Sequence, residues 1–394
     1  MNPDLERLQP YPFERIRMLL SGVAAADKKL IKLSVGEPKH EPPAMVLQAL
    51  AAALPRLAEY PPTQGSDDLR GAMASWLDSR YALRGNLDPT TQILPVNGTL
   101  EALFAIAQCL LDRSAPGKLV LSPNPFYQIY EGAALLAGCE LEFYDASAGA
   151  PSWDGIDAST WQQTQLIYVC NPGNPTGSTL SLQQWQTLIQ RAMEYNFTIV
   201  ADECYSEVYR EAAGPPPGLL QAAVTMGNTA LKHCLVFHSL SKRSNLPGLR
   251  SGFVAGDAEL MRQFLLYRTY HGCSMAPPVQ VASAVAWRDE EHVIANRTLY
   301  DEKYATVDRI LGEKLGCEVP DAGFYLWPEL PVDDETFTQD MRRLHNIDVV
   351  PGSYLSREIA GANPGSNHCR LALVATLDEC IEAANRIRDY LEKG

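Results

Sequence analysis

The sequence predicts an α/β protein in which a mostly parallel mixed sheet, flanked by helices, is joined to a smaller α+β part. Two observations carry this. Between about residues 90 and 270, short apolar runs alternate with helical patterns, as expected of parallel strands connected through covering helices. From about 288 onward, long helical patterns surround only a few short apolar runs.

The expected strands lie at 119–121, 141–144, 166–170, 198–201, 234–238 and 251–255, and the expected helices at 98–111, 127–137, 181–195 and 257–270. In the first of these helices, apolar residues at 100, 103, 104, 107, 110 and 111 recur at helical spacing. Beyond 287 the pattern reads as one long helix over 288–315, an apolar stretch at 319–328, a helix at 334–345, a strand at 369–373 and a last helix at 377–392. The first 40 or so residues lack a sheet of their own and are expected to pack on this part. The expected division is therefore a large domain, 45–287, and a small domain made of 1–44 and 288–394. Gly214-Pro-Pro-Pro-Gly218 reads as a stiff exposed loop inside the large domain.

With 394 residues, 46% of them apolar and 20% charged, the chain has an ordinary globular composition. That excludes disorder, collagen and small disulfide scaffolds. Its 33 basic and 47 acidic residues leave a net charge of −14, which argues against a nucleic-acid partner. No segment reaches the roughly 20 apolar residues that span a bilayer, so no membrane partner is expected. Asp4 and Glu6 stand where a secretory signal would carry basic residues. The nine cysteines are scattered, with no C-x-x-C pair and no zinc-ligand spacing. No metal is expected, and a reducing, cytoplasmic setting is.

Four segments carry chemistry. Lys242, in Ser239-Leu-Ser-Lys242, follows an apolar strand, at the sheet edge where open α/β folds bind ligands. A lysine buried there forms Schiff bases readily, and Arg250, eight residues on, offers a cation for an anion such as phosphate. A surface lysine beside a polar loop explains this segment equally well. Asp202 ends a second apolar run, with Tyr205 three residues later. Facing a pyridine nitrogen, it would keep that ring protonated as an electron sink, although an acid capping the next turn is the simpler account of a lone Asp. Asn171-Pro-Gly-Asn174-Pro-Thr-Gly177 forms a rigid loop after a third strand, and a cis proline in it would aim an Asn into the cleft. Asn97-Gly98-Thr99 opens the helix at 98–111, as a cap, as a phosphate site or as both. A phosphorylated heteroaromatic aldehyde accounts for all four at once.

With these motifs the chain resembles the pyridoxal-phosphate-dependent aminotransferases of class I/II (fold type I), from Leu33-Ser-Val-Gly36-Glu-Pro38 to Arg370. The resemblance implies that Lys242 carries pyridoxal 5′-phosphate covalently and moves the substrate proton. It makes Asp202 the partner of the ring nitrogen, and Asn174 and Tyr205 partners of the ring hydroxyl. Gly98, Thr99 and Leu100 become the phosphate cradle, with Ser239 and Arg250. Tyr127, in Pro125-Phe-Tyr127-Gln-Ile-Tyr130, matches the aromatic residue stacked on the cofactor. Arg370, in His368-Cys-Arg370-Leu-Ala-Leu, matches the fork for the substrate α-carboxylate, which Gly36 approaches through its backbone. Asn174 faces the substrate as well. Tyr60, in Tyr60-Pro-Pro-Thr-Gln-Gly65, resembles the tyrosine that reaches the neighbouring subunit's phosphate, which implies a homodimer.

Within the family, residues 239–250, Val350-Pro-Gly-Ser-Tyr-Leu-Ser-Arg357 and Asn363-Pro-Gly365 are most similar to proteobacterial succinyldiaminopimelate aminotransferases of lysine biosynthesis. The expected partners are thus an amino donor and a 2-oxo acid, 2-oxoglutarate. Acetylornithine, aromatic or aspartate substrates, and a pyridoxal-phosphate β-lyase, share these motifs. A cofactor-sensing regulator and an NAD-dependent oxidoreductase fit poorly, since the chain is acidic and no G-x-G-x-x-G follows an early strand. Lys39 and His40 are candidates to meet a distal substrate carboxylate, but ordinary loop residues are the stronger reading.

Overall fold

In the computed structural model, which describes residues 1–392, seven strands form one sheet. They are β1 (Ile93–Val96), β2 (Leu119–Asn124), β3 (Glu140–Asp145), β4 (Thr164–Cys170), β5 (Thr198–Asp202), β6 (Cys234–Ser239) and β7 (Gly252–Gly256). Their spatial order is β1-β7-β6-β5-β4-β2-β3, and β7 alone runs antiparallel to its neighbours. Both faces are covered. Ile167, Val169, Ile199, Ala201, Val236 and Phe253 point to one apolar layer, and Leu166, Tyr168, Val200, Leu235, Phe237 and Val254 to the other. That alternation is the two-residue period of a strand. Double coverage is why these runs read as continuously apolar.

Helices Asp67–Tyr81, Leu182–Tyr195, Leu219–Thr225 and Pro277–Arg288 cover the first layer, and Thr99–Leu110, Ile129–Leu136 and Ala258–His271 the second. Leu182–Tyr195 starts at a reciprocal Ser181/Gln184 capping box and stops at Asn196, whose φ of 61° is left-handed. Such punctuation made this helix readable in advance.

A further core joins both ends of the chain. Ile31–Lys32 pairs in parallel with Ile347–Asp348, and Val350–Pro351, Cys369–Ala372 and Tyr325–Leu326 form a three-stranded antiparallel sheet. Ile31 and Leu33 pack with Leu311, Phe337, Leu371 and Ile387, using helices Glu291–Leu311, Asp334–Asp340 and Leu377–Leu391.

Three expectations are corrected and one strand is added. The helix expected over 288–315 runs only from Glu291 to Leu311 and ends in a 3-10 turn at Gly312–Leu315, and Arg288 closes a separate preceding helix, Pro277–Arg288. Asp289 divides them, because its side chain accepts the His292 N–H at 3.1 Å while Arg243 binds the Asp289 carbonyl at 3.2 Å. Strand β1 went unread because Pro95 interrupts its pattern, which an edge strand tolerates. The stretch 319–328 holds only the strand Tyr325–Leu326. The 214–218 loop is also not simply exposed: Pro216 and Gly218 are buried, and the Pro217 carbonyl accepts from Asn171 at 2.9 Å.

Candidate active site

The register of the large sheet gathers the candidate residues. Cys170, Asp202 and Phe237 are partners across β4, β5 and β6, so the loops that follow leave the same carboxyl edge side by side. They open into a cavity of about 360 Å³, which Gly36, Thr99, Leu100, Tyr127, Asn174, Asp202, Tyr205, Ser239, Lys242, Arg250 and Arg370 help to line. Gly98 precedes the first helical residue of its wall. Tyr60 is not in the cavity; it lies fully exposed on the surface.

Lys242 rides on the short helix Leu240–Arg243 directly after β6, where the Ser239 side chain accepts the Ser241 N–H at 3.1 Å. Its ammonium donates to the Gly36 carbonyl and sits 5.4 Å from the centre of the Phe324 ring. Burial pushes its pKa down to about 8, with the Arg370 cation adding to the effect. A lysine poised there supplies free amine near neutral pH.

Asp202 is nearly inaccessible. Its Oδ2 accepts from the Tyr130 hydroxyl at 2.8 Å, and its Oδ1 from the Cys204 N–H at 3.3 Å. Burial raises its pKa, so a cationic partner in the cavity would restore the charged form.

At the far end, Gly98 has φ 91° and the helix Thr99–Leu110 starts with no side-chain cap. The expected Asn97 cap is therefore absent: Glu101 instead accepts the Asn97 N–H at 2.9 Å, and the amides of the first turn stay open. Arg250, itself left-handed at φ 53°, lays its guanidinium over Gly98 so closely that a Cβ there would lie 2.3 Å from it. Helix amides, a guanidinium and the Ser239 and Ser241 hydroxyls form an anion cradle.

At the opposite wall, Arg370 is 5% exposed. It donates to Asn174 Oδ1 at 3.0 Å and to the Ser34 carbonyl at 2.8 Å. Its Nε is buried with no hydrogen-bond partner among the described residues. The Asn171–Pro172 and Asn174–Pro175 peptide bonds are both cis. Sequence reasoning missed Tyr11, Tyr325, Cys204 and Ser241 of the lining, and Tyr130 behind Asp202. Ser241 lies within Ser239-Leu-Ser-Lys242 and Cys204 between Asp202 and Tyr205, whereas Tyr11 and Tyr325 carry no local signal. Lys39 pairs with Glu37, and His40 bonds Asn296 at 2.7 Å, as ordinary loop residues do.

The family pattern "Aminotransferase class I and II" matches residues 28–387. The chain belongs to the class I and II aminotransferases. It is 30% identical over 393 residues, 97% of each protein, to an LL-diaminopimelate aminotransferase of Nitratidesulfovibrio vulgaris. A crystal structure of an aminotransferase from Neisseria meningitidis is 46% identical with a TM-score of 0.94, covering 99% of this chain and 100% of that one. A probable N-succinyldiaminopimelate aminotransferase from Thermus thermophilus is 26% identical with a TM-score of 0.83, covering 96% and 99%.

Aminotransferases of this family use pyridoxal 5′-phosphate and exchange amino groups between small-molecule amino and oxo acids. The cavity suits that cofactor: an anion cradle at one end, a buried carboxylate at its floor and a desolvated lysine between them. No helix among the described residues is long and apolar enough to cross a membrane, and the nine cysteines are free thiols.

Proposed function

We propose that the protein catalyses transamination between N-succinyl-LL-2,6-diaminopimelate and 2-oxoglutarate/glutamate in lysine biosynthesis, as a cytoplasmic homodimer. The observation that carries the transamination is the Arg370 fork facing the desolvated Lys242 across one cavity. Aminotransfer needs an α-carboxylate holder and a base for Cα within one site, and this pair supplies both.

Lys242 would hold the cofactor covalently through Nζ, with Asp202 against its ring nitrogen and Asn174 and Tyr205 against its ring hydroxyl. Gly98, Thr99, Leu100, Ser239 and Arg250 would hold its phosphate, and Tyr127 its ring face. The bound cofactor supplies an electron-poor ring that stabilises negative charge at Cα. Arg370, with Gly36 beside it, binds the α-carboxylate and orients Cα–H. Once the substrate's own amine has taken the place of Nζ on the cofactor, the freed amine of Lys242 would take the proton from Cα and hand it back on the cofactor side of the substrate nitrogen. Asp202 would keep the ring nitrogen protonated by holding a negative charge beside it. Tyr60 would reach the phosphate of a second copy, which accounts for a fully exposed tyrosine in one chain. Residues 45–287 form the large domain and both chain ends the small one.

The lining itself supports an acylated donor. Asp202 is the only acid among the described lining residues, and Tyr11, Phe13, Val35 and Leu100 make up part of the remaining wall. A distal ammonium, as in unacylated LL-diaminopimelate, finds no carboxylate there, whereas the uncharged amide of an acylated donor needs only a neutral hydrogen-bond acceptor. The curated relatives favour the unacylated donor as a second reading, since the Nitratidesulfovibrio vulgaris protein is named for it.

Both are tested by presenting the purified holoenzyme and 2-oxoglutarate with succinylated and free LL-diaminopimelate, N-acetylornithine, aspartate and an aromatic amino acid. The proposal expects the succinylated donor to give the highest kcat/KM. A higher value for free LL-diaminopimelate establishes the second reading. Release of pyruvate and ammonia from a cysteine-type substrate, without glutamate formation, would mark a β-lyase.

A further inference from the structure

Tyr325 stands where two parts of the site meet. It belongs to the edge strand Tyr325–Leu326 and pairs with Ala372. Arg370 lies two residues before Ala372 on the neighbouring strand, so both side chains leave the small sheet on the same face. There the guanidinium carbon of Arg370 sits 4.5 Å above the centre of the Tyr325 ring. At the other end of the ring, the Tyr325 hydroxyl lies 2.8 Å from the hydroxyl of Tyr205, which follows β5 in the large sheet. Tyr325 is 2% exposed. Its hydroxyl also presses on Gly36, where an added Cβ would lie 2.0 Å away. Ring and hydroxyl are therefore held from several sides, yet neither is spent on the core alone.

We propose that Tyr325 is a positioning residue for transamination: its hydroxyl donates to the Tyr205 oxygen and so turns the Tyr205 proton toward the cofactor's ring hydroxyl, while its ring face seats the Arg370 guanidinium for the substrate carboxylate. The first half rests on Tyr205 being the ring-hydroxyl partner, as proposed above.

The direction of the hydrogen bond follows from the protons available. Each phenol has one, and between two hydroxyls only one is placed. If Tyr205 gave its proton to Tyr325, it would face the cavity only as an acceptor. A ring oxygen bearing negative charge needs a donor, so Tyr205 must accept from Tyr325. A hydroxyl that accepts a hydrogen bond also donates a stronger one. The second half follows from the cation–π geometry. A planar guanidinium stacked on a fixed ring keeps its fork in one plane before substrate arrives. A single side chain thus ties the carboxylate holder to the ring-hydroxyl holder across the two sheets.

The test compares holoenzymes of the parent, Tyr325→Phe, Tyr325→Leu and Tyr205→Phe. The visible absorbance of the bound cofactor is titrated against pH, and kcat and KM for the amino donor are measured. Weaker donation from Tyr205 leaves more negative charge beside the Lys242 nitrogen, which then keeps its proton to higher pH. Tyr325→Phe is therefore expected to raise the spectral midpoint by about half a pH unit, less than Tyr205→Phe. It keeps the ring under Arg370, so its KM stays within about two-fold while kcat falls about three-fold. Tyr325→Leu removes the ring and raises KM about five-fold. Phenylalanine preserves the buried ring, and an unchanged melting temperature shows that folding is intact. A parental midpoint in Tyr325→Phe, beside a shifted one in Tyr205→Phe, overturns the proposal alone. A parental midpoint in both overturns the placement of Tyr205 as well.

Discussion

Arg370 and Asn174 meet across 3.0 Å although 196 residues separate them in the chain. The bond joins the small antiparallel sheet to the loop after β4 and sets the plane of the guanidinium. Lysine at 370 would keep the charge and lose the fork. Arg370→Lys is expected to lower kcat/KM for α-amino acids about 50-fold, mostly through KM, because one charge-assisted hydrogen bond is lost. Steady-state kinetics with two donors measures it. An equal loss for a simple amine lacking the carboxylate would sink the assignment.

Lys242→Ala removes the base proposed for Cα. The variant is expected to bind pyridoxal 5′-phosphate, through the cradle and Asp202, without catalysing repeated turnovers. Cofactor retention on gel filtration and a multiple-turnover assay read the two halves separately. Normal steady-state transamination by this variant would falsify the assignment of Lys242.

The lowered pKa of Lys242 makes a pH prediction. The free amine is the reactive form, and its fraction falls about ten-fold per pH unit below the folded value. The rate at which apoenzyme captures cofactor should rise with pH and level off above about 8. A rate that kept rising toward the ordinary lysine value of 10.5 would show that the amine is not desolvated. For stability the sign follows from proton counts. Between about 8 and 10.5 the unfolded lysine holds its proton and the folded one has released it. Apoenzyme stability from this group therefore rises with pH across that window.

Asp202→Asn keeps shape and removes charge. It is expected to cut kcat about 100-fold or more with cofactor still bound, since a neutral amide cannot hold the ring nitrogen protonated. Equilibrium dialysis and kcat give the two numbers. A variant with parental kcat would place the ring nitrogen elsewhere.

Tyr60 is a surface residue in one chain, and the role proposed for it requires a second copy. Sedimentation should report a dimer, and Tyr60→Phe should weaken cofactor binding about ten-fold, the worth of one hydrogen bond to a charged oxygen. A monomer with full activity would refute this.

How much could be read beforehand depended on distance along the chain. Asp202 ends its strand and Lys242 and Asn174 closely follow theirs, so a short window of sequence displays both the strand and the reactive group. The helix 182–195 carried its cap and its stop within itself. Strand β1 was hidden by Pro95, and the break at Asp289 by a cap whose partner, Arg243, lies 46 residues away. The loop at 214–218 looked exposed because its contacts, Asn171 among them, lie elsewhere in the chain.

The sequence by itself determined the parallel sheet, the strand-end motifs and with them the aminotransferase family, because periodicity and capping act between near neighbours. The tertiary structure decided which side chains face one another. Asp202 against Tyr130 depends on how a helix packs on the large sheet, and Lys242 against Gly36 and Tyr205 against Tyr325, 120 residues apart, on how the two parts of the chain meet; no local pattern encodes either. Their physical effects share this origin: the desolvated lysine, the buried carboxylate and the buried guanidinium exist only once packing has excluded water around them.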